Sequence, residues 1–179
     1  MTGQKEQSNT GRFAMWNQFS DGSTESGAGV FLEGNAMSID TTDNGSSTPR
    51  LTSRQVGDAD RLRVLPRHFG CLMIRVEQAI YQWMETLCPD YNGGYWEFYD
   101  VSNGAFFMVP HRTQPWRVTC PNQFEGELSS EAAGITACLY ALSDLCFSVE
   151  SSALTDHFHA LRDFASEHAE AALIFQAID

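Results

Sequence analysis

The stretch YNGGYWEFYDVSNGAFFMVP, residues 91–110, constrains the fold more than any other part of the chain. It holds seven aromatic rings and three glycines, and its two apolar runs flank Asn103-Gly104. Asn-Gly readily takes the positive φ angles of a type I′ turn, so the pattern predicts an antiparallel hairpin. A two-residue loop at Asn103-Gly104 sets Asp100 opposite Phe107 and Phe98 opposite Val109. On the other face Val101 meets Phe106 and Tyr99 meets Met108. Each apolar cross-strand pair contributes roughly 0.2–1 kcal/mol, which fixes register without requiring any chemistry. Gly93-Gly94 reads as a turn entering the first strand. It lacks the GxGxxG or GxxxxGK spacing of a phosphate cradle.

The flanking segments have helical periodicity. Pro66 and Gly70 break the backbone before an amphipathic stretch, Cys71 to Leu87, in which Met73, Val76, Ile80, Trp83, Met84 and Leu87 recur at three- and four-residue intervals. Cys88-Pro89 ends it, because a residue before proline is pushed out of helical angles. A third strand is expected at Trp116 to Thr119, between Pro115 and Pro121, followed by a polar loop, NQFEGE. Ser129 then reads as the N-cap of a helix with Glu131 in its first turn. Its buried face comprises Ala132, Ile135, Cys138, Leu139, Leu142, Leu145, Cys146 and Val149. Gly134 weakens this helix by roughly 1 kcal/mol unless another element packs closely there. In the last 28 residues Leu154, Phe158, Leu161, Ala165, Ala172 and Phe175 form an apolar stripe over one helix or two.

These elements predict an α+β fold: a single compact domain in which a small antiparallel sheet is packed by three or four helices. The domain spans 59–179. Residues 1–58 are rich in Ser, Thr, Gly, Asn and Asp and cannot bury enough apolar surface to offset ordering entropy of ~1–2 kcal/mol per residue, so they form a flexible tail.

Charge narrows the function classes. The formal net charge is -12, and residues 120–179 carry ten acidic side chains against one basic residue, Arg162. With a single lysine, Lys5, the chain lacks the clustered bases that replace counterions on nucleic acid, so no direct nucleic-acid binding is expected. No apolar run reaches the ~18 residues of a membrane span, and the N-terminus lacks the order of a secretory signal, which makes the cytoplasm the expected compartment. Five cysteines, an odd number without any CxxC, read as buried thiols and not as a disulfide framework.

Evidence for catalysis is thin. Any cysteine could meet His68, His111, His157, His159 or His168 in space, yet no nucleophile signature such as GxSxG occurs. His157 and His159, two apart on a helix, diverge and do not converge on a metal. His168 reads as a core histidine satisfied by a hydrogen bond, and Glu125 and Glu127 as solvated loop residues. No catalytic residue, metal or cofactor is therefore assigned.

From about residue 60 to the end, LPRHFG, the 91–110 stretch, LSSEAAGITACLYALSDL and HAEAALIFQAID resemble the ArdB/KlcA family of antirestriction proteins, found on plasmids and other mobile genetic elements. The resemblance implies a compact α+β protein that relieves type I restriction-modification of incoming DNA. What carries over residue by residue is a structural core: Pro66, Phe69, Gly70, Gly93, Gly94, Tyr95, Trp96, Tyr99, Asn103 and Gly104. Where the family often has His-Pro-Glu, this chain has His168-Ala169-Glu170, losing a helix-starting proline.

Mimicry of DNA is one route to such an effect. Duplex DNA presents one charge per ~1.7 Å of axis, whereas Glu131 to Asp179 hold 8 acidic residues, roughly one per 9 Å of helical path. The density favours binding to a specific protein partner over mimicry, with hydrolysis by a Cys/His pair as a second alternative. That partner is a host protein, with the type I complex itself among the candidates. Asp144, Glu150, Asp156, Asp163 and Glu170 are the candidate contact residues on the acidic helices.

Overall fold

The computed structural model describes residues 50–179. The expected tail lies outside the described residues for positions 1–49. Its last part does not stay apart from the domain: Ser53–Gln55 form β1, antiparallel to β2 (Trp96–Val101). The first sheet runs β1-β2-β3, with β3 at Phe106–Pro110. A second, two-stranded sheet pairs β4 (Trp116–Thr119) with β5 (Glu125–Leu128). β4 lies where its alternation and flanking prolines place it. β5 corrects the expectation of a polar loop: Glu125 and Glu127 are exposed on a strand whose last residue, Leu128, is fully buried.

The hairpin forms one residue out of the expected register. Tyr99 pairs with Phe107, Phe98 with Met108 and Asp100 with Phe106. Val101 N donates to Ala105 O, leaving a three-residue loop, Ser102–Gly104, in which only Gly104 has positive φ, +88°. A type I turn closed by a left-handed glycine gives this shape, in place of the type I′ turn. Asn103 is committed to side-chain bonds instead: its Oδ1 accepts from Ala105 N, and its Nδ2 donates to Ala160 O on the facing helix at 2.7 Å.

Among the described residues, five α-helices complete the fold. α1 spans Arg61–Phe69 and contains Pro66, which therefore does not break the backbone as expected; the break falls at Gly70, φ +52°. One 3-10 turn leads into α2, Met73–Leu87, with Val76, Ile80, Met84 and Leu87 buried on one face. α3, Ser130–Ser148, is capped by Ser129 Oγ accepting from Ala132 N. It is not merely apolar on one face, because every residue from Ala132 to Ser143 is buried. Encasement on all sides follows from its neighbours: α2, β3, α4 (Ser152–Ser166) and α5 (Ala171–Ile178) all pack on it.

The contact of α3 with β3 explains Gly134. A β-carbon built there would lie 2.2 Å from Met108 O and 3.1 Å from Val109 Cα. The helix thus covers the outer edge of the sheet, and Met108 N donates to Cys138 Sγ at 3.4 Å. Covering an edge strand in this way satisfies backbone groups that would otherwise be exposed. The C-terminal helix is two helices, broken at 167–170 although the proline is missing. Ala171 N donates to His168 O, and the apolar stripe restarts at Ile174, Ala177 and Ile178 while Ala172 is exposed.

Candidate functional site

The acidic candidates separate into two kinds. Asp156 and Asp163 are exposed on α4 two turns apart, and Glu150 is exposed in the link between α3 and α4. Asp144 is half-buried on α3 and engaged in contacts there. Glu170 does not continue the α4 face, because the helix ends before it. Its Oε1 accepts from Ser129 N at 3.1 Å, bracing the start of α3.

The densest polar cluster joins the end of α1, strand β2 and helix α4. Asp100, 19% exposed, accepts from Arg67 through both carboxylate oxygens at 2.6 Å and from His68 Nε2 at 2.8 Å; Arg54 lies 3.7 Å away. Burial alone would raise the Asp100 carboxyl. Hydrogen bonds from His68 and Arg67, with the charge of Arg67, outweigh it and hold the group below the usual carboxylate range. His157 packs edge-on against the His68 ring at 5.1 Å and contacts His68 O at 3.3 Å. Burial and the neighbouring His68 depress its pKa. His159 is exposed on the same helix, so the two histidines diverge as their spacing implies. Phe69 and Phe106 close the apolar side of the cluster, their rings meeting edge to face at 5.7 Å.

Sequence reasoning did not find this cluster. Its members lie at 54, 67–68, 100 and 157, and only the β1-β2 pairing and the packing of α4 unite them. The expectation of five buried thiols holds for three: Cys71 is exposed and Cys146 half-buried, while burial pushes Cys88 and Cys138 up to about 12 and Cys120 to about 11, making these three poor nucleophiles. All five cysteines are free. Among the described residues, no group of three or more His, Cys, Asp or Glu side chains is placed to hold a metal ion. His168 is a satisfied histidine, accepting at Nδ1 from Glu170 N at 3.0 Å, although it sits at the break before α5 and not on the apolar stripe.

The residues of the structural core have local roles. Trp96 is buried, and its indole donates to Tyr91 at 2.9 Å. The Tyr99 ring stacks on Phe107 at 4.9 Å, and Phe69 is buried. Tyr95 is exposed, with Arg61 4.4 Å over its ring.

Residues 89–179, which include β2, β3 and α3 to α5, match the family model for the antirestriction protein. An Escherichia coli antirestriction protein KlcA is 47% identical over 137 residues, covering 72% of this chain and 94% of that protein. A second E. coli KlcA is 43% identical over 135 residues, covering 72% and 95% respectively. The chain belongs to the antirestriction protein family. Its backbone is also similar to a solved structure from work on KlcA and ArdB, with a TM-score of 0.68 at 44% identity, covering 72% of this chain and 95% of that one. Those two proteins show a novel fold and antirestriction activity against type I DNA restriction systems in vivo but not in vitro. No helix among the described residues is long and apolar enough to cross a membrane.

Proposed function

We propose that this chain relieves restriction of incoming DNA by type I systems, and that it does so by binding a protein partner. The observation that carries this reading is the behaviour of its structural relatives. KlcA and ArdB are active in vivo and not in vitro. A mimic that filled a DNA-binding groove would compete with DNA on purified enzyme, since charge complementarity needs no further component. Activity confined to the cell instead fits a route through a cellular protein. Burial of Cys88, Cys120 and Cys138, which raises all three thiols, argues in the same direction, against these three as hydrolytic nucleophiles.

Glu150, Asp156 and Asp163 are the outward carboxylates of the proposed contact face, with Asp144 at its margin. Rim charges of this kind steer encounter and set specificity more than they set affinity. Plating of unmodified phage on a restricting host that expresses the chain tests the reading. Plating efficiency is expected to rise against at least one type I system. Unchanged efficiency across several such systems would defeat it.

A further inference from the structure

A cleft of about 250 Å³ opens where the 91–95 loop meets the end of β3 and the start of β4. Gly93, Gly94, Arg112 and Trp116 line it, together with Asp90 and His111. The family core absorbed the two glycines only as turn residues, yet both have positive φ, +90° and +140°, and neither has an atom within 4 Å of where a β-carbon would stand. Crowding is therefore not why they are glycine. The conformation itself is what they supply, and it leaves the Gly93 and Gly94 N–H groups without an acceptor among the described residues.

Arg112 and Trp116 are held by several contacts. The Arg112 guanidinium lies 4.3 Å over the Trp116 ring. Ser130 Oγ accepts from the Trp116 indole at 3.2 Å and donates to Arg112 O at 2.8 Å, tying both residues to the start of α3. Tyr91 packs against Trp116 and Trp96, each at 5.8 Å. Arg112 is half-buried and has no carboxylate partner among the described residues, in a chain of net charge -12. The acids nearby are already engaged: Asp90 lies 3.6 Å from Arg117, and Glu97 3.2 Å from His111. A stacked guanidinium keeps its N–H edge free, and that planar fork matches a carboxylate in bidentate fashion.

We propose that this cleft is a recognition pocket for a carboxylate side chain on an acidic segment of a protein partner. Arg112 clamps the carboxylate, and the peptide N–H groups of Gly93 and Gly94 flank it. Charge selects this ligand over the phosphates of nucleic acid. A nucleic acid would bring a row of phosphates against an acidic body, whereas one carboxylate brings a single negative charge to Arg112, with Asp90 of the lining already paired to Arg117.

Titration of the full-length ¹⁵N-labelled chain with an acetylated, amidated Gly-Glu-Gly peptide tests this, with Gly-Gln-Gly and inorganic phosphate as separate probes. The amides of Gly93 and Gly94 and the Arg112 Nε are expected to shift with the Glu peptide at concentrations on the order of millimolar, as a single ion-pair contact binds weakly. They should not shift with the Gln peptide, and Arg112→Gln should abolish the response while the hairpin amides keep their positions. Equal shifts with Glu and Gln peptides, a response that survives Arg112→Gln, or stronger binding of phosphate would overturn the proposal. In the phage assay, Arg112→Gln is expected to lower restriction relief about tenfold, equivalent to one lost contact of about 1.4 kcal/mol. Full relief by Arg112→Gln, beside an active parent chain, defeats only the pocket's role. An inactive parent chain defeats only the antirestriction reading, and the titration still decides what the pocket binds.

Discussion

Asp100 shows how much of this fold turns on one side chain. It sits on β2, receives Arg67 and His68 from α1, and lies within 3.7 Å of Arg54 on β1. Asp100→Asn keeps the shape but loses the charge, and hydrogen bonds to charged groups contribute about 1.5–3 kcal/mol each. The expected loss is about 1–3 kcal/mol in urea unfolding, because Arg67 is half exposed and partly screened. The pH dependence has a definite sign. His157 has a depressed pKa in the folded state, so the unfolded chain takes up the proton first as pH falls below the ordinary 6.5. Asp100 is depressed likewise, and its stabilisation is lost later, below the usual carboxylate range. Melting temperature should therefore fall in two stages on acidification. His157→Gln should flatten the first stage, and Asp100→Asn the second. A stage that persists in its own variant would assign the titration elsewhere.

At the level of elements, the hairpin and the central helix were legible to different degrees. The aromatic runs and Asn103-Gly104 specify a hairpin, but that dipeptide serves a two-residue or a three-residue loop equally well. What distinguishes them is non-local: Asn103 reaches Ala160 O on α4, a partner 57 positions away. Pro66 misled for a related reason, since helix α1 accommodates it and ends only at Gly70. β5 was invisible because EGEL carries neither alternating apolar residues nor β-branched ones; only pairing with β4 makes it a strand. Gly134 was readable as a close approach, though not against which element. On a solvent-exposed helix, Gly to Ala would add roughly 1 kcal/mol of stability. Here the new methyl meets Met108 O, a backbone atom that cannot swing aside, at 2.2 Å. Overpacking of this kind costs typically 1–3 kcal/mol, so Gly134→Ala is expected to be net destabilising, with a lower urea midpoint. A rise in midpoint would mean that α3 does not press on β3 as described.

For the whole molecule, net charge is a weaker guide than where each carboxylate goes. Of the acidic residues in the last third, Glu167 accepts from Leu51 N at 2.9 Å and Glu170 from Ser129 N, so these two hold distant segments together. Asp156 and Asp163 stand outward on α4, about 10 Å apart along it at 1.5 Å per residue. This division was hidden in the sequence, where Asp156, Asp163 and Glu170 share a seven-residue spacing that the break at 167–170 removes. It also separates two mechanisms. If overall charge density governs, each neutralised carboxylate should reduce restriction relief by a similar factor wherever it lies. If a specific face is recognised, the double variant Asp156→Asn with Asp163→Asn should lower relief and leave stability within about 0.5 kcal/mol, as exposed substitutions do. Glu170→Gln, which keeps an oxygen to accept from Ser129 N, should leave relief unchanged, while Glu170→Ala should cost about 1 kcal/mol of stability through the lost hydrogen bond. Phage plating and urea unfolding of these variants give the comparison. Equal loss of relief per charge in the double variant and in Glu170→Gln would favour the charge-density mechanism and remove the case for a contact face on α4.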